Sequence, residues 1–361
     1  MSFLKKGYED LWKAIIRPPR DQYIPSDLGP VKFDIEHRIY QRTDLQLKNP
    51  RGLTLECSFF EPIDEERVAE QLPCVVYLHG NCSSRIEAIS AVQYLLPAKI
   101  CVFCFDFAGC GLSEGEYISL GFYEKDDVAT VVEYLRNSGR ISFIGLWGRS
   151  MGAVTALLHG HRDNSIAGMV VDSPFSSLKV LAKELASRYV KLPGFLLTGA
   201  LKLIRKSIRK KANFDINELN PIDFVDKCFI PATFTLGVND TFILPSHSEI
   251  MYEKYAGEKI LKRVDCDHNE PRPEYYMHSI AIFFYNTLYC EILPEPKHKK
   301  IKGFVENFKP KVHVLEEAIQ FQENLLNPSE NIIAIEPVAG VEEPEDNDSL
   351  SDDDDDDEEN I

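Results

Sequence analysis

A serine flanked by glycines, set where an apolar run stops and a helical pattern starts, constrains this chain more than any other feature. Ile141-Ser142-Phe143-Ile144-Gly145-Leu146-Trp147 leads directly into Gly148-Arg149-Ser150-Met151-Gly152, and Ala153-Val154-Thr155-Ala156-Leu157-Leu158-His159-Gly160 follows. A strand that becomes a helix so abruptly must push one side chain out of the bend. The flanking glycines remove the Cβ atoms that would collide across it. The pentapeptide therefore reads as a nucleophile elbow presenting Ser150. A tight structural turn is the alternative.

The surrounding rhythm places this elbow in a layered α/β architecture. Leu53–Phe60, Pro73–Leu78, Ile100–Phe105, Ile141–Trp147, Ile166–Asp172, Phe229–Gly237 and Lys259–Val264 read as strands. Helical patterns stand between most of them, over 86–95, 126–135, 153–160, 247–256 and 275–289. Short apolar strands alternating with helices predict a mostly parallel central sheet with helices on both faces. After Pro174 the rhythm breaks. Residues 176–220 carry helical periodicity only, with Leu197, Ala200, Leu201, Ile204 and Ile208 on one face. Lys202, Arg205, Lys206, Arg209, Lys210 and Lys211 lie mostly around the other.

The expected organisation is a leader packed on the core (1–50) and a first core part (51–175). A helical cap or lid (176–220) and a second core part (221–292) come next. A C-terminal extension (293–336) with a helix over Val312–Leu326 and a disordered acidic tail (337–361) complete it.

The net charge of −17 belongs largely to that tail, since residues 342–359 hold thirteen acidic residues and no basic one. Nucleic acid is not an expected partner, whereas a basic partner suits the tail and an anionic membrane suits the basic stretch at 202–211. The nine cysteines lack paired short spacings and fall mostly in or beside apolar runs. They read as reduced, buried thiols rather than a disulfide scaffold or a zinc site. The absence of an apolar signal stretch near Met1, and of any run long enough to span a bilayer, predicts a cytoplasmic protein, peripheral at membranes if it meets them.

A nucleophilic serine needs a base, and the base needs an orienting carboxylate. His268 and Asp240 each follow a strand, at the end of the sheet where parallel α/β sites form. Ser150, Asp240 and His268 are the candidate triad, with Asp172 as the alternative carboxylate. Asp265 and Asp267 stand too near His268 in sequence to face its Nδ1, and Asp106 reads as a cap for the loop at 107–111. The oxyanion donors expected are the backbone N–H groups of Met151 and Asn81, with Cys82 the alternative to Asn81. The glycine loop at 109–115 lacks a phosphate-binding register and reads as a wall of the cleft. No cofactor or metal is expected.

His79-Gly80-Asn81, Asp106-Phe107-Ala108-Gly109-Cys110-Gly111-Leu112-Ser113, Gly148–Gly152, Asp172-Ser173-Pro174-Phe175, Gly237…Asp240 and His268-Asn269 occur in this order. Over roughly residues 30–292 the chain resembles the α/β-hydrolase superfamily. Within it, the chain is similar to the serine-aminopeptidase-like and monoacylglycerol-lipase-like group. A poorly characterised eukaryotic set shares its Pro18-Pro19-Arg20 segment and the Asn269-x-x-Arg272-Pro273 sequence. The resemblance implies an α/β-hydrolase fold with a short helical cap, the same triad and oxyanion donors, and a small acyl-bearing substrate. The candidate triad itself points to a serine hydrolase acting on an ester, thioester or amide, and because an aminopeptidase must also pair a free amine with a carboxylate, a lipid-like or small acyl ester is favoured. A serine peptidase or aminopeptidase and a non-catalytic binding protein on the same scaffold are the alternatives.

Overall fold

Alternation along each strand decides which side chains reach which face of a sheet, and here both faces are apolar. In β4 (Leu72–Leu78), Cys74, Val76 and Leu78 join one buried cluster while Val75 and Tyr77 join the other. A strand buried on both sides reads as a continuous apolar run, which is why this stretch was legible as sequence. The computed structural model describes residues 9, 12–189, 194–296, 305–309 and 319–320.

The nine strands of the sheet are β1 (Lys32–Ile35), β2 (Arg38–Lys48), β3 (Thr54–Pro62), β4, β5 (Cys101–Phe105), β6 (Ile141–Arg149), β7 (Gly168–Asp172), β8 (Ala232–Gly237) and β9 (Lys259–Val264). Their spatial order is β1-β2-β3-β5-β4-β6-β7-β8-β9. β1, β2, β3 and β5 pair antiparallel in succession, and every pairing from β5 through β4 to β9 is parallel. The helices Glu124–Asn137, Met151–Arg162 and Pro245–Lys254 cover one face. Ile89–Leu95 and Glu274–Thr287 cover the other. This is the mostly parallel α/β-hydrolase sheet expected from the sequence.

The leader differs from the expectation. Its residues 32–48 form β1 and β2, because alternate residues of Arg38–Arg42 bury against the sheet while their neighbours stay partly exposed. A further bridge comes from beyond the core. Phe308 packs on Phe33 at 4.7 Å between ring centroids, and its N–H donates to the Asp34 carbonyl at 2.9 Å. The helix expected over Val312–Leu326 and the acidic tail lie outside the described residues, apart from positions 319 and 320.

Between β7 and β8 stand two helices, Leu178–Tyr189 and Gly194–Ala212. Ile204 and Ile208 are buried, whereas Ala200 and Leu201 are half-buried. The basic face is narrower than its sequence. Arg205 forms a bidentate pair with Asp215 at 2.7–2.9 Å, and Lys211 lies 4.3 Å from the Trp12 ring centroid. Lys202, Lys206 and Lys210 remain exposed beside Leu203, which is 57% exposed. The first of these helices is tied to the core by His247. Its Nδ1 accepts the Ser176 N–H at 3.2 Å, and its Nε2 lies 3.0 Å from the Glu184 carboxylate.

All nine cysteines are buried and free of disulfides. Among the described residues no helix is long and apolar enough to cross a membrane, and no His, Cys, Asp or Glu cluster is arranged to hold a metal ion.

Candidate active site

The end of β6 forces the geometry on which everything else depends. Ser150 stands at φ 52° and ψ −116°, a conformation L residues avoid, immediately before the helix Met151–Arg162. A Cβ on Gly148 would lie 2.2 Å from the Gly152 carbonyl oxygen, and one on Gly152 would lie 2.0 Å from that of Leu78. No side chain fits either position. The bend is locked further by the Ser150 N–H, which donates to the Asp172 carbonyl at 2.8 Å.

The loops after β8 and β9 bring the other two candidates to the serine. His268 Nε2 lies 3.1 Å from Ser150 Oγ, and its Nδ1 lies 2.6 Å from Asp240 Oδ2. All three residues are buried, yet each belongs to a different strand's C-terminal loop. Asp240 is fixed by its second oxygen, which accepts the N–H groups of Phe242 at 3.0 Å and Ile243 at 2.8 Å. With Asp240 oriented this way, Nδ1 carries the imidazole proton and Nε2 is left as the acceptor facing the serine.

Asp172 is engaged elsewhere. Arg272 grips both its oxygens at 2.8 Å, and the Ser173 hydroxyl donates to it at 3.1 Å. Burial pushes the Asp172 carboxyl up, but the Arg272 guanidinium outweighs it and holds the group below the ordinary carboxylate value. Arg272 also donates to the carbonyls of Asp267 and Glu270, both at 3.1 Å, so the pair pins the loop that carries His268. Asp267 accepts the backbone N–H of His268 at 2.7 Å and that of Thr241 at 3.0 Å, and Asp265 bonds Asn239. Neither turns toward the imidazole Nδ1. Asp106 binds the Arg85 and Leu112 N–H groups at 2.7 and 2.8 Å and the Tyr23 hydroxyl at 2.6 Å, the capping role read from its position.

The donors around the serine sort themselves by what is already occupied. The Gly80 N–H bonds Glu87 at 3.1 Å, and the Cys82 N–H bonds the Asn81 side chain at 2.9 Å. The Asn81 N–H makes no such bond among the described residues, which favours it over Cys82 as an oxyanion donor. Met151 opens its helix, where the N–H groups of the first turn have no intrahelical acceptor and the dipole favours negative charge.

Two features escaped the sequence. Arg149, one residue before Ser150, donates to the His268 carbonyl and the Asn269 side chain, both at 2.9 Å, and lies 3.3 Å from Glu87. Arg20 of the leader bonds the Ser113 carbonyl at 3.1 Å and also the Gly115 carbonyl, bracing the glycine loop. Arg149 sits inside the serine pentapeptide and Arg20 in the Pro-Pro-Arg segment, but nothing local to either names its partner.

Residues 69–219 match the family described as "Serine aminopeptidase, S33". The chain is 31% identical over 191 residues to the uncharacterized protein YqkD of Bacillus subtilis, covering 52% of this chain and 61% of that one. It is 25% identical over 219 residues to the alpha/beta hydrolase domain-containing protein WAV2 of Arabidopsis thaliana, covering 59% and 66%. The chain thus spans less than two thirds of either relative's length. Among solved structures, the Pyrococcus furiosus esterase Pf2001 superposes with a TM-score of 0.56 at 22% identity, covering 74% of this chain and 98% of the esterase. Acetyl xylan esterase 1 of Thermoanaerobacterium superposes at 0.55 with 18% identity, covering 79% and 93%. These likenesses show the fold.

Proposed function

We propose that this chain, which has the α/β-hydrolase fold, works as a serine hydrolase through Ser150, His268 and Asp240 and an acyl-enzyme intermediate. The observation that carries this reading is the unbroken relay from Asp240 through His268 to a serine held at positive φ on a helix N-terminus. His268 Nε2 takes the Ser150 proton as Oγ attacks a carbonyl carbon. The oxyanion that forms is met by the N–H groups of Met151 and Asn81. His268 then gives its proton to the leaving group, and the same nitrogen activates the water that releases the acyl group.

An acyl ester of small or lipid-like character is the favoured substrate. An aminopeptidase must pair its substrate's free amine with a carboxylate. The buried carboxylates around this serine are already committed: Asp240 to His268, Asp172 to Arg272 and Glu87 to Arg149. An ester makes no such demand. Lys202, Lys206 and Lys210 beside exposed Leu203 further suit contact with an anionic membrane that would present such a substrate.

The test is labelling with a fluorophosphonate probe, followed by a matched panel of esters and amides of graded acyl length. Labelling at Ser150 with faster ester turnover is expected. A protein that ignores the probe and every ester is a binding scaffold. Flotation with neutral and anionic vesicles checks the membrane contact, and equal recovery from both rejects it.

A further inference from the structure

Arg149 and Glu87 face one another inside the molecule, each side chain only 8% exposed, with Arg149 Nη1 3.3 Å from Glu87 Oε1. A buried ion pair is costly to form, and removing one partner leaves an uncompensated charge. Geometry explains what this pair does with its remaining hydrogen bonds. Glu87 accepts the Gly80 N–H at 3.1 Å and the Tyr77 hydroxyl at 3.0 Å, and so holds the turn whose next residue is Asn81. Arg149 spends its Nη2 on the His268 carbonyl and the Asn269 side chain, both at 2.9 Å, and so holds the loop of the base. Its own backbone is the residue before Ser150, at the end of β6. One guanidinium therefore touches the segments that carry the serine, the base and, through Glu87, an oxyanion donor.

We infer that Arg149 is a positioning residue, paired with Glu87 so that the His268 imidazole and the Asn81 N–H are set in one frame around Ser150. The inference rests on the serine-hydrolase reading and deepens it. Arg272 cannot substitute for it. That guanidinium braces the same His268 loop against Asp172, but none of its bonds reaches the Gly80–Asn81 turn. A lysine at 149 would keep the charge opposite Glu87 as a single point. It would lose the planar fork that serves two directions at once.

The test compares wild type, R149K, the charge-neutral double variant R149M/E87Q and S150A. The measurements are fluorophosphonate labelling rate, kcat and KM on an activated ester, and melting temperature. Misplaced catalytic groups lower kcat and labelling while substrate binding persists. R149K should lose about 10-fold and the double variant about 100-fold in both, with KM within about threefold of wild type. The melting temperature of R149K should stay close to wild type. A folded R149K that labels and turns over like wild type overturns the inference. So does a pair needed only for folding, seen as loss of the cooperative transition in both variants. If the double variant alone fails to fold, R149K decides the matter. S150A separates the two levels: if it still labels, the serine-hydrolase reading itself fails, whereas an unlabelled S150A beside a fully active R149K removes only the role of Arg149.

Discussion

Two relays of serine, imidazole and carboxylate stand among the described residues, alike in connectivity and in their buried imidazoles but different in how each holds its serine. In the first, Ser150, His268 and Asp240 stand at 3.1 and 2.6 Å. In the second, Ser176 Oγ lies 2.8 Å from His247 Nδ1, and His247 Nε2 lies 3.0 Å from Glu184. Both imidazoles are buried and both follow strands of the same sheet. Ser150 is forced to positive φ with helix N–H groups beside it, whereas Ser176 has an unstrained φ and its backbone is fully used. Its N–H donates to the same His247 nitrogen that its hydroxyl faces, and its carbonyl accepts the Ile222 N–H at 3.1 Å. A relay becomes a nucleophile when strain presents the hydroxyl and free donors await the oxyanion. Without them it is a fastening, here between the core and the helix Leu178–Tyr189.

The largest effect should separate the two serines. Ser150→Ala should abolish probe labelling and lower ester turnover by about 10⁴-fold or more, while Ser176→Ala stays within about threefold of wild type. Peptide mapping of the labelled protein checks both at once. A label on Ser176 would mean that connectivity alone suffices.

The carboxylates extend the contrast. Asp240→Asn should cost about 10⁴-fold in kcat, because the amide no longer fixes the Nδ1–H tautomer. Asp172→Asn breaks a buried ion pair with Arg272 and should cost about 3 kcal/mol in stability, with a much smaller loss of kcat. Matched kinetics and denaturant titrations give the ranking, and the reverse order would move the orienting role to Asp172.

These differences mark what could be read in advance. Gly148 and Gly152 announce a bend that tolerates no Cβ, Asp240 follows the buried apolar strand β8, and His268 follows the half-basic strand β9, so local sequence carried the candidate relay. Nothing local distinguishes Arg272 as the partner of Asp172, 100 residues away, or Arg149 as that of Glu87. Such pairs depend on which strands become neighbours, and a sheet order that places β5 beyond β4 is not encoded in any single segment. β1 and β2 escaped for a different reason. Their strands are edge-ward and half-polar, as in Arg38-Ile39-Tyr40-Gln41-Arg42, so they lack the apolar run that marks the central ones.

A third buried histidine shows what an imidazole does without a relay. His159 is buried, with the Asp163 carboxylate 3.5 Å from its Nε2. Burial, aided by Arg162, drives its pKa down to about 4. Buried Asp127 moves the other way, to about 6, through burial and then the nearby Glu124. His159 therefore adds stability as pH rises from about 4 to 6.5, because the unfolded chain binds the extra proton there. Asp127 removes stability as pH rises from about 4 to 6, because the folded chain binds it. Each amounts to about 3 kcal/mol, and the two nearly cancel. Relative to wild type, His159→Leu should lose about 3 kcal/mol between pH 4 and 6.5, and Asp127→Asn should gain a similar amount. Denaturant titrations across that range check the opposite signs. Parallel curves for both variants would show that neither group titrates in the window.

The smallest effect tests the second relay as a fastening. Glu184 lies on the helix Leu178–Tyr189, and through His247 it ties that helix to Ser176 in the loop after β7 and to the helix Pro245–Lys254. Because Nδ1 accepts the Ser176 N–H, Nε2 is the ring nitrogen that carries a proton toward Glu184. A hydrogen bond to a partly exposed carboxylate contributes about 1 kcal/mol net. Glu184→Ala should therefore speed amide hydrogen exchange in Leu178–Tyr189 by about fivefold, with amides of β4 and β6 unchanged. His247→Ala should do the same or more, since it also frees Ser176. Ester turnover with a small substrate should hardly move in Glu184→Ala, because the fastening lies outside the chemistry. If turnover instead falls as far as in Asp240→Asn while exchange stays at the wild-type rate, the second relay takes part in catalysis and the distinction between the two serines collapses.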